Sequence, residues 1–267
     1  MWTRNVIRHK RRKTLRHLCR LLIVMCQRSI AIHSENPNIK QLFALVTASL
    51  AKGLSALSSG ESTYNASAIE KYSQDIFERT AEIDNAFKNI NITLEYLNKS
   101  TYTDSKYSFS EHHALHIENF LLRLTSVVDR SYLLAGSTML MENSQIEKLG
   151  GNKKVHKELS TFSPASYEVL NKMENAIDHL RAPRNKVAHQ AGFSSKNLCI
   201  LQAIENSKAE SISIKKITDI MSYDEIKEIV IADSLEKFQS ASSVLDGLVT
   251  ELINSLSFVY SGLLKGT

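Results

Sequence analysis

The chain has 267 residues, 43% of them hydrophobic, with only three prolines and nine glycines. That is enough apolar material for one packed domain with appendages, and too few turn residues for a β-sandwich. The net charge of +5 is local, because nine Lys/Arg fall within residues 1–28, ahead of the first acid, Glu35. The remainder is therefore mildly acidic and supplies no general field that would steer RNA. Three cysteines, Cys19, Cys26 and Cys199, form no CxxC pair and no disulfide framework, which fits a reducing cytoplasm.

The chain opens with MWTRNVIRHKRRKTLRHLCRLLIVMCQR. Arg20 interrupts its apolar run, which leaves a stretch too short for a signal peptide or a membrane span, and no membrane association is expected. Residues 1–36 read as a basic, solvated N-terminal extension, and 37–267 as the helical domain. A first helix is expected from Pro37, with Ile39, Leu42, Phe43, Leu45, Val46, Leu50, Leu54 and Leu57 giving a helical period, up to the Ser/Gly cluster at 58–62. A second runs over about 65–99, with Ile69, Tyr72, Ile76, Ile83, Phe87, Ile90, Leu94 and Leu97 on one face.

The third helix starts at a capping box, Ser108 followed by Glu111, and extends to about Met141. ENSQIEKLGGNKK reads as a loop on the strength of Gly150-Gly151. Ser163 then caps a fourth helix with Pro164 at its first position. Pro183 disfavours helix at Ala182, so it should kink or restart this element and place Arg184 near a first turn. Residues 197–220 carry short alternating apolar stretches and read as an irregular or hairpin insertion. A last helix runs from Tyr223 to Leu264, and its pattern allows a break near Asp233-Ser234. The expected fold is all-α, a four- to five-helix bundle.

The stretch RNKVAH, Arg184 to His189, carries the candidate chemistry. On a helix Asn185 and His189 share a face, while Arg184 lies about 140° around from His189. A restarted helix would add free N–H groups and positive partial charge there, an anion site. His can take the proton of a ribose 2′-OH near neutral pH, and Arg can stabilise the charge that builds on the attacked phosphate. Spacing alone is weak evidence, since RNVIRH (4–9) and RKTLRH (12–17) fit similar patterns. The third helix adds context. ENFLLRLTSVVDR is strongly apolar yet carries Glu118, Arg123, Asp129 and Arg130, charges that are costly there unless paired or exposed. They are expected to cross to the RNKVAH helix or to form a structural network. His112 and His116 stand at metal-ligand spacing, but no third ligand is evident.

A helix bearing ENF..R.....DR, then a loop, then a helix with RN...H resembles the HEPN superfamily, whose signature is an Arg, a polar residue and a His four to six places beyond the Arg. The resemblance implies Arg184, Asn185 and His189 as catalytic residues, with Glu118, Arg123, Asp129 and Arg130 in support. It further implies a homodimer with two such sets facing across a cleft, and metal-independent endoribonuclease activity in toxins or abortive phage defence, with no cofactor. Other members of the superfamily have lost activity and only bind RNA or nucleotides. QAGFSSKN after His189 holds no Tyr, the residue modified by nucleotidyltransferase antitoxins. That argues against such an antitoxin and leaves control to another partner protein, to expression or to an infection signal.

Overall fold

The computed structural model describes residues 32–61, 63–189, 192–207 and 212–265. The basic segment 1–31, with Cys19, Cys26 and the two N-terminal R-x4-H matches, lies outside them. Among the described residues the chain is all-helical, with no strand. A 3-10 turn, His33–Glu35, leads into α1 (Pro37–Lys40) and α2 (Phe43–Ser58). Then come α3 (Ala68–Leu97), α4 (Phe109–Thr138), α5 (Asn143–Ile146), α6 (Gly151–Phe162), α7 (Pro164–His189), α8 (Lys196–Asn206), α9 (Ile212–Thr218) and α10 (Tyr223–Lys265).

The four long helices α3, α4, α7 and α10 form the core, and each presents an apolar stripe to the others. Phe87, Ile90, Leu124, Met173, Leu245 and Leu256 are essentially sealed from solvent. Phe120 and Phe238 stack at 4.1 Å between ring centres. The buried hydroxyl of Tyr260 lies 3.0 Å from that of Thr138, and the Tyr72 hydroxyl donates to the Thr138 carbonyl at 3.4 Å. These bonds satisfy polar groups that burial would otherwise leave unpaired.

The helix starts follow their side chains. Ser108 Oγ accepts from Glu111 N, and Glu111 Oε2 accepts from Ser108 N at 2.7 Å, which closes the capping box read from the sequence. Ser67 and Glu70 do the same for α3. Ser163 Oγ accepts from Ser166 N ahead of α7, with Pro164 as the first helical residue.

Several expectations are corrected. The loop expected over 142–154 contains α5 and the start of α6. Gly150, at φ +85°, makes the turn between them, and a Cβ on Gly151 would strike the Ile146 carbonyl oxygen. Among the described residues the insertion expected over 197–220 holds two helices, α8 and α9, and Leu198 and Leu201 on one face of α8 enter the core. The alternation seen there was short-range coincidence, and the helical spacing of these two leucines was the stronger signal. α10 is unbroken at Asp233-Ser234, because Ser234 is buried with its Oγ 3.0 Å from His113 Nε2. Of the two courses expected at Pro183, a kink or a restart, the restart does not occur: α7 runs continuously from Pro164 to His189. The packing of α7 on α4, α6 and α10 outweighs the one backbone hydrogen bond that a proline forgoes.

Residues 32–36, assigned by charge to the extension, pack on the domain. His33 is buried and stacks on Phe87 at 5.3 Å. Its Nδ1 lies 3.1 Å from Asp84 Oδ1, and its Nε2 lies 3.2 Å from the Asp246 carbonyl oxygen. Asp84 also accepts the backbone N–H groups of His33 and Ser34. Burial pushes the Asp84 carboxyl up, but these hydrogen bonds outweigh it and hold the group below the usual carboxylate range. Among the described residues one helix, α10, is long and apolar enough to cross a membrane by length and composition alone. The same helix supplies the core residues Val249, Leu252, Ile253, Leu256 and Tyr260.

Candidate active site

Because α7 does not restart at Pro183, Arg184, Asn185 and His189 occupy its last two turns. The anion site expected from a helix N-terminus is therefore absent. At this end the free backbone groups are carbonyls, with negative partial charge. Phosphate binding must rest on side chains. Arg184 is half-buried, and its Nη1 donates to Asn185 Oδ1 at 3.0 Å. Its Nε is buried without a partner among the described residues. Asn185 and His189 are exposed and, four residues apart, share a helix face. Arg184 and Asn185 thus form one bonded unit, with an open imidazole one turn beyond.

The four charges of the third helix, here α4, divide. Glu118 reaches the segment just beyond α7, where its Oε1 accepts the Phe193 N–H at 2.6 Å. Gly192, at φ +77°, lies against the same carboxylate, and a Cβ there would sit 2.7 Å from Glu118 Oε1. The positive φ and the close approach both call for glycine. Among the described residues none of the four forms a hydrogen bond or ion pair with residues 184–189. Arg123 is exposed. Asp129 accepts from Asn152 of α6 at 2.8 Å. Arg130 Nη1 donates to Ser126 Oγ at 2.6 Å within α4. Asp129 and Arg130 instead line an open cleft of about 440 Å³ against Arg79, Glu82 and Asn85 of α3. Sequence reasoning missed Gly192 and Phe193 as the attachment point of Glu118, and a lone Gly after RNKVAH was the available signal.

His112 and His116 serve as ring-stacking partners. His112 stacks on Tyr102 at 4.1 Å, with its Nε2 2.7 Å from Ser105 Oγ. His116 stacks on Tyr96 at 4.8 Å. Burial first, then the neighbouring His112 and Lys99, hold the His116 imidazole below its ordinary range. No group of three or more metal-ligating side chains occurs among the described residues.

A bonded Arg–Asn pair beside an exposed His can bind an oxyanion through the guanidinium and exchange a proton through the imidazole. Comparison with models of protein families, with curated proteins and with solved structures finds no match to this chain.

Proposed function

We propose that the chain is a metal-independent endoribonuclease of the HEPN type, acting as a homodimer in a toxin or phage-defence role in the cytoplasm. The observation that carries this reading is the Arg184–Asn185 hydrogen bond beside the exposed His189, on a helix end whose following loop Glu118 holds. In this reading His189 removes the proton from a ribose 2′-OH, and the 2′-oxygen attacks the adjacent phosphorus. The bond to the 5′-oxygen breaks, leaving a 2′,3′-cyclic phosphate and a 5′-hydroxyl. Arg184 meets the charge that develops on the phosphate oxygens, and Asn185 orients the guanidinium. Control falls to a partner other than a tyrosine-modifying nucleotidyltransferase.

The test is cleavage of mixed RNAs in excess EDTA. Wild type should cleave and leave cyclic phosphate ends. His189→Ala should lose at least about a hundredfold in rate, the scale of a general base, with unchanged helical circular dichroism. Cleavage that survives His189→Ala removes the reading.

A second reading is favoured by the position of the site at a helix C-terminus, whose carbonyls do not help hold a phosphate. It is a HEPN-like module that binds RNA, a nucleotide or a protein partner without turnover. Binding by wild type with no cleavage under any condition would select it.

A further inference from the structure

The connection between α3 and α4 and the helix ends beside it carry a cluster of rings at the surface. His116 stacks on Tyr96 at 4.8 Å and His112 on Tyr102 at 4.1 Å, and Tyr107 meets His112 edge-on at 6.3 Å. Tyr102 and His116 stack at 6.0 Å, which joins these pairs into one array. Tyr96 and Tyr107 remain 39% and 56% exposed, so two of its rings face water. Cations lie on both. Lys99 Nζ is 4.1 Å from the Tyr96 ring centre, and Lys106 Nζ is 5.2 Å from that of Tyr107. Both lysines are exposed, and among the described residues neither forms a salt bridge. Exposed Arg123 stands seven residues beyond His116, on the same stripe of α4. The acids here are Glu95, Asp104 and Glu111, all exposed. Glu95 and Glu111 each stand one residue before a ring of the array, about 100° around their helices, and Glu111 is engaged by the Ser108 N–H and hydroxyl. Asp104 is the one acid in the connection 98–108, against two lysines.

We propose that this array is a stacking platform for single-stranded RNA, separate from residues 184–189. Bases stack on Tyr96 and Tyr107, and Lys99 and Lys106 turn from the ring faces to the flanking phosphates. A lysine resting on a ring is held by the weak field of the ring face, and a phosphate offers it a full charge. Stacking on an exposed ring accepts any base and needs no broad positive field, which the mildly acidic body does not supply. A duplex keeps its bases stacked on one another and offers the rings nothing, so the strand is single. Glu118 stands two residues beyond His116, about 200° around α4, and holds the Phe193 N–H just past His189. The platform and the proposed cleavage residues therefore flank the same stretch of α4. The inference takes its ligand from the proposed function, on which it rests to that extent, and its place from the rings.

Fluorescence anisotropy of the full chain with a labelled 2′-O-methyl oligouridylate of about twelve nucleotides tests it. This probe has no free 2′-hydroxyl, so binding is read without turnover. Wild type should bind. Tyr96→Ala/Tyr107→Ala should weaken binding at least about tenfold, with unchanged helical circular dichroism. Tyr96→Phe/Tyr107→Phe should bind as wild type does, because phenylalanine keeps the ring. Lys99→Ala/Lys106→Ala should lower the slope of log affinity against log salt by about 1.4, the share of two phosphate contacts. No binding by wild type overturns the proposal. So does an alanine pair that binds as tightly as wild type, the result expected if the basic residues 1–28 alone hold the strand. Ring-dependent binding with no cleavage of ordinary RNA keeps the platform and removes the nuclease reading. Ring-independent binding with cleavage intact does the reverse.

Discussion

Leu140 is the non-glycine residue held at positive φ, +59°, among the described positions. It follows α4 where a left-handed residue lets the Met141 N–H reach the Gly136 carbonyl, a helix ending that usually takes glycine. Its side chain is 67% exposed and contributes little packing. Leu140→Gly should raise stability by about 0.5–1 kcal/mol in urea unfolding, with relief of backbone strain outweighing the looser unfolded chain. A loss of stability would mean that this leucine makes contacts worth more than the strain. His113 acts at the same scale. Burial first, then His116, lowers its pKa to about 4. The unfolded chain takes up this proton at about pH 6.5, so stability is full above that value and declines as pH falls from 6.5 toward 4. His113→Gln should flatten that part of the pH–stability curve, and an unchanged slope would assign it to other groups. Asp84 acts lower on the scale. Its depressed pKa gives a contribution that is present above about pH 4 and lost as the solution becomes more acid.

Among the elements, α7 carries the sharpest prediction. Pro183 lies inside it, two turns from the end. Pro183→Ala restores a backbone donor and removes a ring clash, and should stabilise the protein by about 1–3 kcal/mol. If the proline also sets the direction of the last turns, RNA cleavage should fall while the melting temperature rises, and measuring both separates the effects. The starts of α4 and α7 and the course of α7 show where sequence reading succeeds and where it stops. Ser108-Glu111 and Ser163-Pro164 were legible because capping is local, a matter of three or four residues. The continuity of α7 through Pro183 was not, because it depends on neighbours supplied by α4, α6 and α10. The tie from Glu118 to Phe193 spans 75 residues and leaves no local pattern, although the excess of charge on an apolar helix did single out Glu118. Arg184, Asn185 and His189 were legible as a motif, but their place at the end of a helix rather than its start followed only from the tertiary packing.

For the molecule as a whole, the boundary of the domain lies earlier than charge patterning placed it. Residues 32–36 complete the core edge through His33 and Asp84. A chain that begins at Pro37 should therefore be less stable than one that begins at Ile32 by about 3 kcal/mol, the scale of breaking a buried pair and leaving one partner unmatched. Equal midpoints in urea would show the contact to be neutral. Composition foresaw an all-helical protein because few prolines and glycines leave long helices uninterrupted. It could not foresee α8, whose short apolar face, with Leu198 and Leu201, becomes visible only against the core it covers.

The 43 residues of α10 form one unbroken helix, and it packs against α1, α3, α4, α7 and α8. At 1.5 Å per residue that is a rod of about 65 Å, shared by most of the other elements. None of those neighbours can open without uncovering part of it, and it cannot fray inward without releasing several of them. Hydrogen exchange along the middle of α10 should accordingly be slow and uniform, at the rate of global opening. The molecule would then have few partly open forms to offer a protease.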